Sequence, residues 1–236
     1  MESSSAVTHD LTLESVKEEI YSRNNPTLTP IDIEAHASTV HRILELKKKH
    51  DVVILGHNYM EPLVFGISEQ NEQGDSLALS MTAVQTDSQY IIFNGVRFMA
   101  ETAKILNPEK TVLIADKTAG CSLADDFSAQ DVRNLKEKYP CVSVMIYINS
   151  YAEAKAECDV CCTSANAEQI ALEMPGDELT FVPDLFFAQN LEMVLKGKKK
   201  ILYPGNDNGT KSAVCQVHEK FSLEDILSVR RTFGID

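Results

Sequence analysis

From residue 52 to residue 203, short apolar runs rich in β-branched residues alternate with helical stretches. This rhythm restricts the fold more than any other feature of the chain. Val52–Leu55, Tyr90–Phe93, Thr111–Ala115, Val142–Ile148, Val160–Cys162, Leu179–Val182 and Lys200–Tyr203 read as strands. Helices are expected between them at Asp75–Gln85, Phe98–Leu106, Ala129–Tyr139, Ala165–Glu173 and Leu185–Leu195. Buried strands that alternate with helices build parallel α/β layers. The expected fold is α/β, made of two similar three-layer units with parallel sheets.

A repeat runs through this alternation. NGVRFMAETAKILNPEKTVLIAD, from Asn94, and CTSANAEQIALEMPGDELTFVPD, from Cys162, each run from a strand end through a helix and a strand to an Asp. The offset of 68 (94 to 162, 116 to 184) predicts that Asn94–Asp116 superposes on Cys162–Asp184. The organisation read from this is a tail over 1–30, a first unit with a leading helix over 31–127 and a second unit over 128–205. A cysteine loop and a last helix follow over 206–236. The tail carries a weak helical patch, and the leading helix, Asp32–His50, ends in the basic run LKKKH, suited to a helix C-terminus.

Composition narrows the partners. Among 236 residues, 35 are acidic and 22 basic, a net charge of −13, which argues against nucleic acid or an anionic membrane as partner. No apolar run approaches the ~18 residues of a spanning helix, and the polar start MESSSAVTHDLTLES is unlike a signal peptide. The expectation is a cytoplasmic protein whose six cysteines sit in a reducing compartment, open to metal, catalysis or burial.

Ligands of parallel α/β units gather at the carboxyl ends of strands. GHNYM places His57 and Tyr59 there, two residues apart and in phase on an extended chain, as an acid/base pair or as loop-bonding groups. YINS places Tyr147 and Asn149 alike in the second unit. Helix starts follow at GDS, with Ser76, and at CTSANA, with Ser164, either as caps or as an anion pocket for a substrate with two anionic ends. Cys158, Cys161 and Cys162 form C-x-x-C-C without a second pair nearby, so burial is the reading for Cys161. Cys121 and Cys215 sit in loops, and distant loop cysteines converging on one point suit an Fe–S centre.

GHNYM, GDSLALS, NGVRFMAETAKILNP, AGCSLAD, YINS, CCTSANA, FVPD and CQVHEKF together resemble the quinolinate synthase family, in its order, over about residues 40 to 230. The resemblance implies condensation of iminoaspartate with dihydroxyacetone phosphate to quinolinate, in de novo NAD biosynthesis. It implies three α/β units about a pseudo-threefold axis and a 4Fe–4S cluster held by one cysteine from each. Cys121 and Cys215 match two of those cysteines. His57 and Tyr59 match the acid/base and phosphate-handling pair, and Ser76, Tyr147, Asn149, Ser164 and His218 match substrate-contacting residues. Tyr147 and His218 join His57 and Tyr59 as catalytic candidates.

The family's third unit, with the third cysteine, would begin where this chain stops, at Arg231–Asp236. NDNGTKSA, Asn206–Ala213, looks inserted relative to the family, and Tyr203 stands where the family has a tryptophan. The chain by itself is therefore expected to hold iron poorly and to make little quinolinate. Further expectations are an iminoaspartate-producing oxidase as partner and a homo-oligomer that partly closes the site. The alternative is a non-catalytic small-anion-binding or interaction protein of the same lineage.

Overall fold

The structure, a computed structural model, describes residues 12–22, 28–204, 213–216, 218–220 and 222–235. The chain divides into two compact units, Met1–Lys117 and Thr118–Asp236.

The first unit opens with α1 (Leu13–Ser22) and α2 (Pro30–His50). Val16 of α1 is buried, and α1 packs against α2, so the stretch expected as a tail contains an anchored helix. A capping box starts α2: Thr29 Oγ1 accepts from Asp32 N, and Asp32 Oδ2 accepts from Thr29 N at 2.9 Å. Four basic residues, Lys47 to His50, close it where the helix dipole favours positive charge.

The remaining elements are β1 (Val52–His57), α3 (Pro62–Gly66), β2 (Gln73–Gly74) and α4 (Ser76–Gln85). β3 (Tyr90–Asn94), α5 (Arg97–Leu106) and β4 (Thr111–Ile114) follow. The four strands form one parallel sheet in the order β2-β1-β3-β4. β2 is only two residues long, too short to leave a periodic signal, and was not expected. Leu55, Ile91 and Phe93 are fully buried at the centre.

The second unit begins with α6 (Ser122–Asp125) and α7 (Ala129–Lys138), and α7 has its own capping box from Ser128 and Asp131. Then come β5 (Val144–Tyr147), α8 (Ala152–Lys155), β6 (Val160–Cys162) and α9 (Ala167–Glu173). β7 (Glu178–Val182), α10 (Leu185–Val194), β8 (Lys200–Leu202) and α11 (Leu223–Phe233) complete it. The sheet is again parallel, in the order β6-β5-β7-β8.

Two apolar clusters fill this unit. One contains Phe127, Val132, Leu135, Val144, Ile146 and Val182; the other contains Met145, Leu179, Phe181 and Leu191. Successive strand residues thus feed opposite faces of the sheet, as the pleat requires.

The two sheets share one topology, but the repeat differs from the offset of 68. Asn94–Asp116 spans the end of β3, α5 and β4, neighbours at one edge. Cys162–Asp184 spans the end of β6, α9 and β7, which flank β5. Register gives the true match. Gly56 pairs with Gln73 and Asn94 in one sheet as Ile146 pairs with Cys161 and Val182 in the other. His57 therefore corresponds to Tyr147, Tyr59 to Asn149 and Ser76 to Ser164, and α5 corresponds to α10. The shared Pro and Asp of the two segments misled the sequence alignment by one strand.

Candidate functional site

In the first unit, His57 ends β1 and is buried. Its Nδ1 accepts the Tyr59 backbone N–H at 3.2 Å, which places the proton of the neutral ring on Nε2. Nε2 lies 3.4 Å from Ser76 Oγ at the start of α4. The Tyr59 ring meets the imidazole edge-on at 4.5 Å, and its side chain is exposed. Burial pushes the His57 pKa below its ordinary 6.5, against the opposing pull of the Asp75 charge. The neutral form of His57 thus turns its Nε2–H toward Ser76 Oγ.

The start of α4 is already engaged. Asp75 Oδ1 accepts from Leu77 N at 3.0 Å and from Ala78 N at 2.8 Å. Its carboxylate uses the helix-start N–H groups that the sequence reading offered to an anion. In sequence Asp75 shows only as part of a GDS helix start; its charge beside His57 is a tertiary feature that no local pattern signals.

In the second unit, Tyr147 ends β5, half-buried, with its ring edge-on to Phe187 at 5.1 Å. Ser150 Oγ donates to Tyr147 O at 2.9 Å, tightening the turn that carries Asn149. Ser164 is exposed. Beside it, Asn166 Oδ1 accepts from Thr163 N at 2.7 Å. His218 opens a short 3-10 turn, His218–Lys220.

The same unit holds Cys121 and Cys215. Cys215 is part of the apolar cluster beneath α7, and Cys121 packs against that cluster. The Cys121 pKa is raised by burial and in small part by charge at Cys215. Burial is the larger cause of that rise, and backbone N–H groups of Ala124 and Leu123 aimed at the sulfur oppose it.

The other cysteines divide differently from the expectation. Cys161 is exposed and Cys162 buried, because β6 is an edge strand and only its Cys162 side faces the core. Cys158 also touches the cluster that holds Cys215, and it donates to Ala154 O. Burial pushes the Cys158 and Cys162 pKa values up to about 12. None of the six cysteines forms a disulfide.

Among the described residues, no group of three or more His, Cys, Asp or Glu side chains is placed to hold a metal ion. Cys121 and Cys215 share one apolar cluster, and two thiols are by themselves too few to complete an iron–sulfur site. The Asn206–Ala213 insertion lies outside the described residues, apart from Ala213, whose N–H donates to Pro183 O at 3.3 Å. No helix of the described residues is long and apolar enough to cross a membrane.

Parallel α/β units with a histidine or a tyrosine at matching strand ends place polar side chains where such folds bind small molecules. Residues 41–234 match the family model described as quinolinate synthetase A protein. The chain is 42% identical over 211 residues to quinolinate synthase 2 of Mesorhizobium japonicum, which covers 89% of this chain and 62% of that one. It is 41% identical over 213 residues to quinolinate synthase of Sinorhizobium medicae, covering 90% and 56%. It is 43% identical over 194 residues to quinolinate synthase of Agrobacterium fabrum, covering 82% and 53%. The chain belongs to the quinolinate synthetase A family, and it spans a little over half the length of these curated relatives.

Proposed function

We propose that this chain serves quinolinate synthesis, the condensation of iminoaspartate with dihydroxyacetone phosphate in the making of NAD. The observation that carries this reading is the His57–Ser76 pair at a strand end, within a chain that matches the family over residues 41–234. The reaction loses phosphate and water, so it needs proton donors beside leaving oxygens. His57 supplies one, since its Nε2–H is fixed by the bond at Nδ1 and its burial keeps it neutral. Ser76 relays or hydrogen-bonds the same oxygen, and the exposed Tyr59 hydroxyl suits a phosphate. Tyr147, Asn149 and Ser164 hold the matching positions of the second unit, and they would bind and orient a carboxylate-bearing substrate with His218.

Cys121 and Cys215 would hold two corners of a 4Fe–4S cluster, which when bound supplies a Lewis acid. The third thiolate belongs to a further α/β unit. Equal spacing supports this: Cys121 precedes the Ser128–Asp131 capping box by the same interval at which Cys215 precedes that of Ser222–Asp225. In this reading α11 leads a third unit as α7 leads the second. A substrate supplied by an iminoaspartate-producing oxidase, and a reducing cytoplasm that keeps the thiols free, complete the proposal.

The test is a quinolinate assay after anaerobic iron and sulfide reconstitution, with a supplied third unit. Wild type is expected to turn over with that unit present, and His57→Ala to lose about 100-fold or more. No quinolinate from the completed wild-type assembly would overturn the reading.

A further inference from the structure

Two side chains outside the proposed ligand and substrate sets join the Cys121 loop to the turn after β5. Tyr151 donates its hydroxyl proton to Asp125 Oδ1, and Tyr151 is only 8% exposed. Asp125 is the last residue of α6, and its backbone N–H closes on Cys121 O at 2.8 Å. A Cβ placed on Gly120 would stand 3.0 Å from Asp125 Oδ2, tighter than side chains normally tolerate. Glycine at 120 thus lets the carboxylate close over the residue before the thiol.

The internal repeat places a different residue type at the position of Tyr151 in the first unit. By register its counterpart in the first unit is Glu61. Glu61 caps α3, accepting from Leu63 N at 3.2 Å. Tyr151 holds the same cap position on α8 and makes no cap bond with its side chain. Its ring instead reaches the cysteine loop.

The position four after the other cysteine is acidic too. Glu219 N donates to Cys215 O at 3.0 Å, as Asp125 N does to Cys121 O.

We propose that Tyr151 and Asp125 form a latch that holds the Cys121 loop in its thiol-presenting conformation and ties it to the turn bearing Asn149. They are positioning residues and act through Cys121. The value of such a latch rests on the reading of Cys121 as a ligand; the latch itself does not.

Hydrogen exchange and thiol alkylation on the metal-free 236-residue chain test it. Tyr151→Phe should speed exchange of the Leu123–Asp125 amides, and iodoacetamide labelling of Cys121, by roughly 10-fold or more, since a hydrogen bond to a charged group is lost. Exchange of the Glu178–Val182 amides should stay at the wild-type rate, which a merely structural loosening would not allow. Asp125→Ala, on the exposed side of the latch, should open the same amides. Unchanged exchange in both variants, or a rise spread evenly over the chain in both, would overturn the proposal.

Cadmium alone separates this from the ligand reading. A thiolate-to-cadmium absorption band that needs both Cys121 and Cys215 supports the pair as ligands. Its survival in Cys121→Ser would sink that reading while leaving the exchange result to judge the latch.

Discussion

Lys110 and Lys199 hold the same place in the two units. Lys110 Nζ donates to Ala83 O at 3.1 Å and to Thr86 O, closing the C-terminus of α4. Lys199 Nζ donates to Ala171 O at 2.7 Å and to Met174 O, closing α9. Each lysine stands one residue before its unit's last strand. The last carbonyls of a helix have no partner within it, and an ammonium satisfies two of them while favouring the negative end of the dipole. The duplication therefore extends to individual side chains.

Replacing Lys199 with Met should strip two carbonyls of their donor in a buried place. A loss of about 1.5–3 kcal/mol is expected in urea unfolding. Lys110→Met should cost less, because that lysine is partly exposed and water can replace it. Equal stability of Lys199→Met and wild type would show that the carbonyls need no ammonium.

The pH dependence of His57 follows from its surroundings. Burial holds its folded pKa below 6.5, the ordinary value it regains on unfolding. The unfolded chain then binds more protons between the two values, so stability rises with pH through that window. The contribution is present in full above about pH 6.5 and is lost as pH falls through the folded pKa. His57→Gln should flatten this slope, and an NMR titration should place the His57 midpoint below 6.5. A midpoint above 6.5 would contradict the burial argument.

Thiol chemistry should sort the cysteines by environment. With pKa values near 12, Cys158 and Cys162 hold only about one thiolate in ten thousand at pH 8. Mass spectrometry after brief iodoacetamide treatment should find the exposed Cys141 labelled and these two unlabelled. Early labelling at Cys162 would show that its strand opens readily.

Much of this architecture is legible in the residues, and the failures have physical causes. The strand–helix alternation is visible because buried parallel strands form continuous apolar runs, and the placement of His57, Tyr59, Tyr147 and Asn149 at strand ends follows from it. β2 escapes because two residues carry no periodicity. Cys161 is misjudged because edge or centre is a property of the sheet and not of the strand. The Tyr151–Asp125 bond joins residues 26 apart, a tertiary meeting that no local pattern signals.

The last prediction contrasts two equivalent helices. Measured from their capping serines, Val132 and Leu135 of α7 correspond to Ile226 and Val229 of α11. Val132 and Leu135 are 0% and 2% exposed and pack in the cluster with Val144 and Ile146. Ile226 and Val229 are each 53% exposed, and α11 buries no residue among those described. Leu135→Ala should therefore cost about 2–5 kcal/mol, as core truncations do. Val229→Ala in the 236-residue chain should stay within about 0.5 kcal/mol of wild type, apart from helix propensity, which favours alanine. If α11 leads a third unit, adding that unit should make Val229→Ala as costly as Leu135→Ala and should protect the α11 amides from exchange. Urea unfolding with and without the added unit measures both costs. A Val229→Ala variant that remains neutral in the completed assembly would mean that α11 is not the counterpart of α7.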